Sequence, residues 1–332
     1  MSDKAAEPSE PLPPLTRWQR AAIVLSGMLL TAFVLLLVFV VYPWARWTED
    51  FFPGRAPDEV LRANAWITTD ETITFTVLGD NGSGGRNAMD VARQMARTYQ
   101  ETPYGLSVLL GDISYYGGIV DRFDDVFVEP MGPLIDAGVE FELAIGNHEI
   151  QENPDPEALE EVGEKLRLLG FANSYYKVTH GPVDFFIIDS SLPLAGLTTA
   201  EEQLAWLERE LAASDATWQV AALHHQLFSS AKKRDPDPRV REALEPLFIE
   251  YGVDIVFYGH DHFYERMKPQ SGVTYVLSGG GSKVSEVGFS EFTAVAEEKL
   301  QFLLVDVNGD TMVVQAIDQN GVVFDEFTIN PR

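Results

Sequence analysis

The chain has 332 residues, 45% of them apolar, which is ample for a buried core and excludes a disordered chain. Its 24 Lys and Arg stand against 51 Asp and Glu, and the resulting charge of −27 disfavours nucleic-acid backbones and anionic lipid surfaces as partners. There is no cysteine, so zinc–thiolate sites, disulfides and thiol nucleophiles are excluded.

Residues 1–20, rich in Pro, Glu and Ser, read as a disordered tail. Ala21–Val41 carries no charge and matches the roughly 20 helical residues that a hydrocarbon core requires. Trp18 precedes it, and Trp44 and Trp47 follow, where aromatic rings suit the headgroup layer. A cleavable signal peptide is the competing reading. It fits poorly, because the apolar run is too long and Tyr42-Pro43-Trp44-Ala45-Arg46 offers no small-x-small cleavage site. An uncleaved transmembrane helix over 21–43 is therefore expected. Arg17 and Arg20 against Arg46, Glu49 and Asp50 place the N-terminus in the cytoplasm and the bulk of the chain outside. Residues 44–70, with Pro53-Gly54 and Pro57, form a linker to a folded region over 71–332.

Within that region, Ile73–Leu78, Leu106–Leu110, Phe141–Ile145, Phe185–Ile188, Val220–Leu223, Ile255–Tyr258 and Thr274–Leu277 predict strands. Between them Met89–Tyr99, Glu157–Leu169, Ala200–Ala213 and Arg239–Tyr251 carry apolar residues at helical spacing. Gln301–Val307, Thr311–Ile317 and Val322–Ile329, joined by Asn308-Gly309-Asp310 and Gln319-Asn320-Gly321, predict a meander. The expected class is α/β, a two-sheet β-sandwich flanked by helices.

Five apolar runs end on residues able to bind metal. They are Leu78-Gly79-Asp80, Leu110-Gly111-Asp112, Ile145-Gly146-Asn147-His148-Glu149, Leu223-His224 and Tyr258-Gly259-His260-Asp261-His262. Ligands bind beyond the carboxyl ends of strands in open α/β sheets, and in four of the five a glycine before the turn avoids Cβ clashes. One Gly-Asp after a strand is usually a turn, but five such ends in order are hard to explain as packing.

This set resembles the calcineurin-like metallophosphoesterase superfamily, whose fold is a four-layer αββα sandwich, and within it the purple acid phosphatase branch. The superfamily commonly opens with Asp-x-His, whereas this chain has Asp80-Asn81-Gly82. The purple acid phosphatases make the same change and supply a tyrosine three residues after the second aspartate, as Asp112-Ile113-Ser114-Tyr115 does; the neighbouring Tyr116 is read as filling. Gly259-His260-Asp261-His262-Phe263-Tyr264-Glu265-Arg266 also looks like that branch.

The resemblance implies a first metal on Asp80, Tyr115, His262 and a bridging Asp112, and a second on Asp112, Asn147, His224 and His260. Phenolate and carboxylate oxygens favour a trivalent iron, while Asn and two His suit a divalent iron, zinc or manganese. The implied activity is hydrolysis of phosphate monoesters by a metal-held hydroxide, with His148 contacting the phosphate or protonating the leaving oxygen. A phosphodiesterase or nucleotide hydrolase on the same metals, and a membrane-tethered binding module without turnover, are the alternatives.

Related phosphatases often have a histidine nine residues after the one matching His224; here that position is Lys233, flanked by Lys232 and Arg234. These cations either bind substrate phosphate or form a solvated loop, and His225 either supports its neighbouring ligand or packs; Lys232, Lys233 and His225 are candidate substrate-binding residues, and Gln151–Pro156 and Lys232–Pro238 are candidate specificity loops. His180-Gly181-Pro182 reads as a turn between strands, and Gly279-Gly280-Gly281 either borders the site or makes a tight turn.

Overall fold

A computed structural model describes residues 71–115, 122–150, 173–195 and 198–332. The expected tail, membrane helix and linker, Tyr116, the Gln151–Pro156 loop and the Glu157–Leu169 helix lie outside the described residues. Among the described residues no helix is long and apolar enough to cross a membrane.

Three parallel strands, β1 (Thr72–Leu78), β2 (Leu106–Leu109) and β3 (Glu140–Leu143), start the first sheet. Helix α1 (Arg86–Glu101) connects the first two; a π-helical turn, Asp124–Val128, leads into α2 (Glu129–Asp136) before the third. The second sheet collects β4 (Tyr176–His180), β5 (Val183–Ile187), β6 (Trp218–Ala222), β7 (Ile255–Tyr258), β8 (Tyr264–Met267), β9 (Thr274–Ser278) and β10 (Thr293–Glu297). Helices α3 (Ser191–Ala195), α4 (Thr198–Ala213) and α5 (Pro238–Tyr251) lie between its strands in sequence. The meander β11 (Gln301–Asn308), β12 (Thr311–Asp318) and β13 (Val323–Ile329) then returns to the first sheet by pairing β11 antiparallel to β1. The orders are β13-β12-β11-β1-β2-β3 and β10-β8-β9-β7-β6-β5-β4.

The central strands of the second sheet, β5, β6, β7 and β9, are largely apolar without alternation because both faces are covered. Phe185, Ile187, Val220, Ala222, Ile255 and Phe257 face the first sheet and meet Phe75, Val77, Val305 and Val314. Their neighbours Phe186, Ile188, Ala221, Leu223, Val256 and Tyr258 face the other way, onto Leu207 and Leu211 of α4 and Val240, Leu244 and Phe248 of α5. Phe75 stands edge-on to Phe185 at 5.1 Å and to Phe257 at 6.5 Å, tying the sheets at their centre. Each such side chain contributes about 1.5–3 kcal/mol by leaving water. On the first sheet's side, α1 buries Val91, Met95 and Tyr99 and touches α2 and β11.

Local signals set the element ends. Asp237 accepts the Arg239 N–H as the N-cap of α5, Pro238 occupies its first turn, and Gly252 ends it at φ 75°. The Asp318 side chain accepts the N–H groups of Asn320 and Val322, closing the β12–β13 turn. The expected β3 is shorter at its carboxyl end, since Ala144 and Ile145 are buried beyond it. Helix α2 was not expected, because Pro130 and Pro133 argue against a helix, but Pro130 falls in its first turn.

Strand β8 was also unexpected, because Glu265 and Arg266 interrupt its apolar pattern. Both charges find partners. Arg266 forks onto both oxygens of Asp325 on β13 (2.7 and 3.1 Å), and the Tyr264 hydroxyl donates to the same carboxylate at 2.6 Å. Replacing Asp325 with Ala would strand a part-buried guanidinium and a buried hydroxyl. The expected loss is about 2–4 kcal/mol, read as a lower urea midpoint at unchanged slope. An unaltered midpoint would show that this clamp is not needed to hold the two sheets.

Candidate metal centre

The carboxyl ends of β1, β2 and β3 on one sheet and of β6 and β7 on the other open onto one place. Asp80, Asp112 and Asn147 arrive from the first sheet; His224, His260 and His262 arrive from the second. Main-chain bonds lock these ends together: Gly79 N donates to Ser278 O (2.9 Å), Asp80 N to Gly111 O (3.0 Å) and Gly259 N to His224 O (3.0 Å). Close approach explains the glycines. A Cβ on Gly259 would stand 2.5 Å from Asp80 Oδ2.

Three of the four described non-glycine residues with positive φ are chemical residues; the fourth, Ser271, lies elsewhere. Asp80, Asp112 and His260 adopt φ of 61°, 52° and 72°, a region that non-glycine residues enter at a cost of about 1–3 kcal/mol each. Side chains hold them there. Asp80 Oδ2 accepts the His260 N–H (2.8 Å), and Asp112 Oδ1 accepts the His148 N–H (3.0 Å). Buried Glu149 accepts three further N–H groups, from Gly146 (2.7 Å), Asp112 (2.8 Å) and Ser114 (3.1 Å). Burial, and then Asp112 beside it, push the Glu149 carboxyl up to about 7.

Two donor clusters result, and Asp112 adjoins both. In one, the Tyr115 hydroxyl lies 3.1 Å from His262 Nε2 and 3.3 Å from Asp80 Oδ1, and His262 Nε2 lies 3.4 Å from the same oxygen. In the other, His224 Nε2 lies 3.0 Å from Asn147 Oδ1, 3.0 Å from His260 Nδ1 and 3.4 Å from Asp112 Oδ1. His224 Nδ1 is 2.8 Å from the Leu110 carbonyl, which can only accept, so the proton sits on Nδ1 and Nε2 presents a lone pair. That lone pair faces two oxygens, Asn147 Oδ1 and Asp112 Oδ1. Such an arrangement suits a cation.

The electrostatics agree. Burial, and then Asp80, push the Asp112 carboxyl well above the ordinary range. Burial followed by Asp80 and Asp112 raises the Tyr115 phenol, and burial followed by His224 and His225 depresses His260. The Asp112 and Tyr115 shifts oppose the anionic forms that bound cations would favour and would be reversed by them, whereas the depressed His260 is already the neutral imidazole that a cation binds. Asp80, Asp112 and His224 bring ligand atoms within 4.8 Å of one another, as do His224, His225 and His260.

Beside these clusters opens a cavity of about 480 Å³ lined by Asn147, His148, His225, Arg234, His260 and His262, among others. Against this geometry, the family model for calcineurin-like phosphoesterases matches residues 73–264. The chain belongs to the calcineurin-like phosphoesterase family.

Within the family its likeness is to purple acid phosphatases. It is 26% identical to the tartrate-resistant acid phosphatase type 5 of Mus musculus over 293 residues, covering 75% of this chain and 88% of that enzyme. In fold it resembles the purple acid phosphatase of yellow lupin (Lupinus luteus) seeds, with TM-score 0.64 at 22% identity, over 78% of this chain and 54% of that one. It also resembles a Plasmodium protein described as the anchor in the inner membrane complex, with TM-score 0.67 at 17% identity, over 79% and 90% of the two chains. The family model and the acid phosphatase relative support a metal-dependent phosphatase, for which the two clusters are candidate metal ligands.

The structure brings together all seven residues expected as ligands in this phosphoesterase. His148 lies at the cavity mouth, its ring edge-on to Tyr115 at 4.7 Å and its Nε2 3.9 Å from Asp112 Oδ2. His225 also lines the cavity, with Nδ1 on Ser190 Oγ at 2.9 Å. Lys232 and Lys233 correct the expectation. They turn outward to Glu298 (4.0 Å) and Glu286 (3.7 Å), and neither lines the cavity; the cation of that loop which does is Arg234. The loop is tethered ahead of Arg234, where Ser230 and Lys232 bond to Glu265 and Glu286. The glycine run borders the site, since a Cβ on Gly279 would stand 2.8 Å from Asp80 Oδ2.

Two residues escaped the sequence reading. Glu149 stood in view inside the Gly146–Glu149 tetrapeptide without a role. Lys283, four residues past Gly279, sets its ammonium 3.2 Å above the Tyr115 ring, and no spacing rule would have found it.

Replacing Glu149 with Gln places an amide donor against backbone N–H donors. We expect a loss of about 2–4 kcal/mol in chemical denaturation, through unsatisfied buried groups and the released turn at Asp112. Stability equal to the parent chain would mean that Glu149 does not hold that turn.

Proposed function

We propose that the chain hydrolyses phosphate monoesters at a dinuclear metal centre. Asp80, Tyr115, His262 and Asp112 would hold one ion, and Asp112, Asn147, His224 and His260 the other. The observation that carries this reading is the lone pair of His224 Nε2 converging with Asn147 Oδ1, His260 Nδ1 and Asp112 Oδ1. The phenol and carboxylates of the first set suit a trivalent iron; the amide and imidazoles of the second suit divalent iron, zinc or manganese. Such a pair supplies Lewis acidity for the phosphoryl oxygens and lowers the pKa of water.

The remaining work falls to the chain. Asp112, fixed by Glu149 and the His148 N–H, keeps the two sets of donors at a constant separation. His148, part-exposed at the cavity mouth, is placed to hydrogen-bond a phosphoryl oxygen or pass a proton to the leaving oxygen. A chain of −27 would otherwise repel a phosphate, so local positive charge at the centre is required for substrate entry. We further propose that residues 21–43 anchor the enzyme, with its catalytic domain on the extracytoplasmic side; the uncharged run and its flanking tryptophans support this.

Purified protein should hydrolyse p-nitrophenyl phosphate, lose that activity on metal stripping, and regain it with iron plus a divalent ion. Replacing Asn147 with Ala should lower turnover at least about a hundredfold, the scale of losing one group that stabilises developing charge. Unchanged hydrolysis in that variant would assign the measured activity to a contaminant. Tyr115→Phe should also abolish a visible absorption band if the first ion is iron. A colourless, zinc-only active protein would refute the iron while sparing the phosphatase. Turnover of bis-p-nitrophenyl phosphate above that of the monoester would replace the monoesterase reading with a diesterase one.

A further inference from the structure

Five cations lie along residues 232–241, and four are committed to carboxylates. Lys232 faces Glu298 at 4.0 Å, Lys233 faces Glu286 at 3.7 Å, Arg239 is bound to Asp237 at 2.6 Å and Arg241 to Glu245 at 2.7 Å. Arg234 forms no such ion pair among the described residues. Its guanidinium reaches Nε2 of His260 and lines the cavity beside Asn147, His148 and His225.

This position is built rather than incidental. Ahead of Arg234, the Ser230 N–H and hydroxyl bond to the fully buried Glu265 carboxylate at 2.8 and 2.6 Å. Gly288 N donates to Ser230 O at 2.6 Å, and Lys232 N to Glu286 O at 3.3 Å. Behind it, Asp237 caps α5 and also holds Arg239, whose own NH1 donates to Leu194 O at 2.8 Å. Asp235 and Asp237 share the cavity wall, and Arg239 already satisfies Asp237.

Donor chemistry then selects the ligand. A guanidinium offers donors alone, so on the wall of this cavity it calls for an acceptor.

We propose that Arg234 is the anion clamp of this site, binding the phosphoryl oxygens of the ester substrate and of its product, orthophosphate. It is a specificity-determining residue of the dinuclear phosphoesterase reading above and rests on that reading. A guanidinium stays charged and gives up no proton, so its part is binding and orientation rather than acid catalysis. The planar fork matches two oxygens of one phosphoryl group, which neither Lys232 nor Lys233 is placed to do.

The test titrates inorganic phosphate calorimetrically into the metal-loaded full-length protein and into its Arg234→Ala and Arg234→Lys forms, with elemental analysis of each. Arg234→Ala should bind phosphate roughly ten- to a hundredfold more weakly and raise KM for p-nitrophenyl phosphate by a similar factor, the loss typical of a charge-assisted hydrogen bond. Its metal content should match the parent, and Arg234→Lys should recover part of the affinity. Equal phosphate affinity in Arg234→Ala would overturn the clamp while leaving the phosphatase intact. Lost metal in that variant would also overturn it, making Arg234 a support for His260. A parent protein that neither holds two metals nor hydrolyses phosphate esters would remove the underlying reading and the clamp with it.

Discussion

Asp112 sits where three demands meet. Its carboxylate is buried, lies within 4.8 Å of ligand atoms of Asp80 in one cluster and His224 in the other, and hangs on a residue at φ 52°. None of these is comfortable by itself: burial disfavours the charge, Asp80 repels it, and the left-handed backbone costs energy. They coexist because Glu149 and the His148 N–H fix the loop from the neighbouring strand end. The Gly146–Glu149 turn thus serves two ends. Asn147 and His148 face the chemistry, while Gly146 and Glu149 hold the residue next door.

The sandwich supplies the rigidity for that placement. Six donors come from five strand ends on two sheets, so any sliding of one sheet over the other would separate the imidazoles from the carboxylates. The interdigitated layer around Phe75, Phe185 and Phe257 resists such sliding. Further ties are polar: Trp218 donates to Gly309 O across the sheets at 2.9 Å, and Tyr264 and Arg266 grip Asp325. The run from His260 to Arg266 therefore divides its labour along the chain. His260 and His262 reach the site, Glu265 anchors the loop bearing Arg234, and Tyr264 and Arg266 bind the opposite sheet.

Charge is arranged on two scales. Globally the chain is strongly acidic, which keeps like-charged macromolecules away. Locally, the acidic side chains near the cavity are largely spoken for, Asp237 by Arg239 and Asp261 by the Ser229 hydroxyl at 2.5 Å. Arg234 and Lys283 bring positive charge to the cavity wall and to the Tyr115 ring. Membership of the calcineurin-like phosphoesterase family accounts for the metal-type donors; the two cations are features of this chain's own loops.

Much of this was written along the sequence. Strands buried on both faces announce themselves as unbroken apolar runs, and glycine followed by Asp, Asn or His at their ends marks a chemical edge, because both signals are local. The meander was equally legible from its Asn-Gly turns. Strand β8 and helix α2 were not, since Glu265, Arg266, Pro130 and Pro133 contradict the local pattern and are tolerated only through contacts or positions the fold provides. The choice between Lys232, Lys233 and Arg234 is of the same kind. Three adjacent cations are equivalent by composition; which one faces the cavity was decided by where Glu265, Glu286 and Glu298 stand, and those partners come from segments distant in sequence. The sequence by itself determined which residues offer metal-type donors, because a donor's type is intrinsic to it; only the tertiary structure decided which of the loop's cations face the cavity, because neutralisation depends on neighbours that the fold alone supplies.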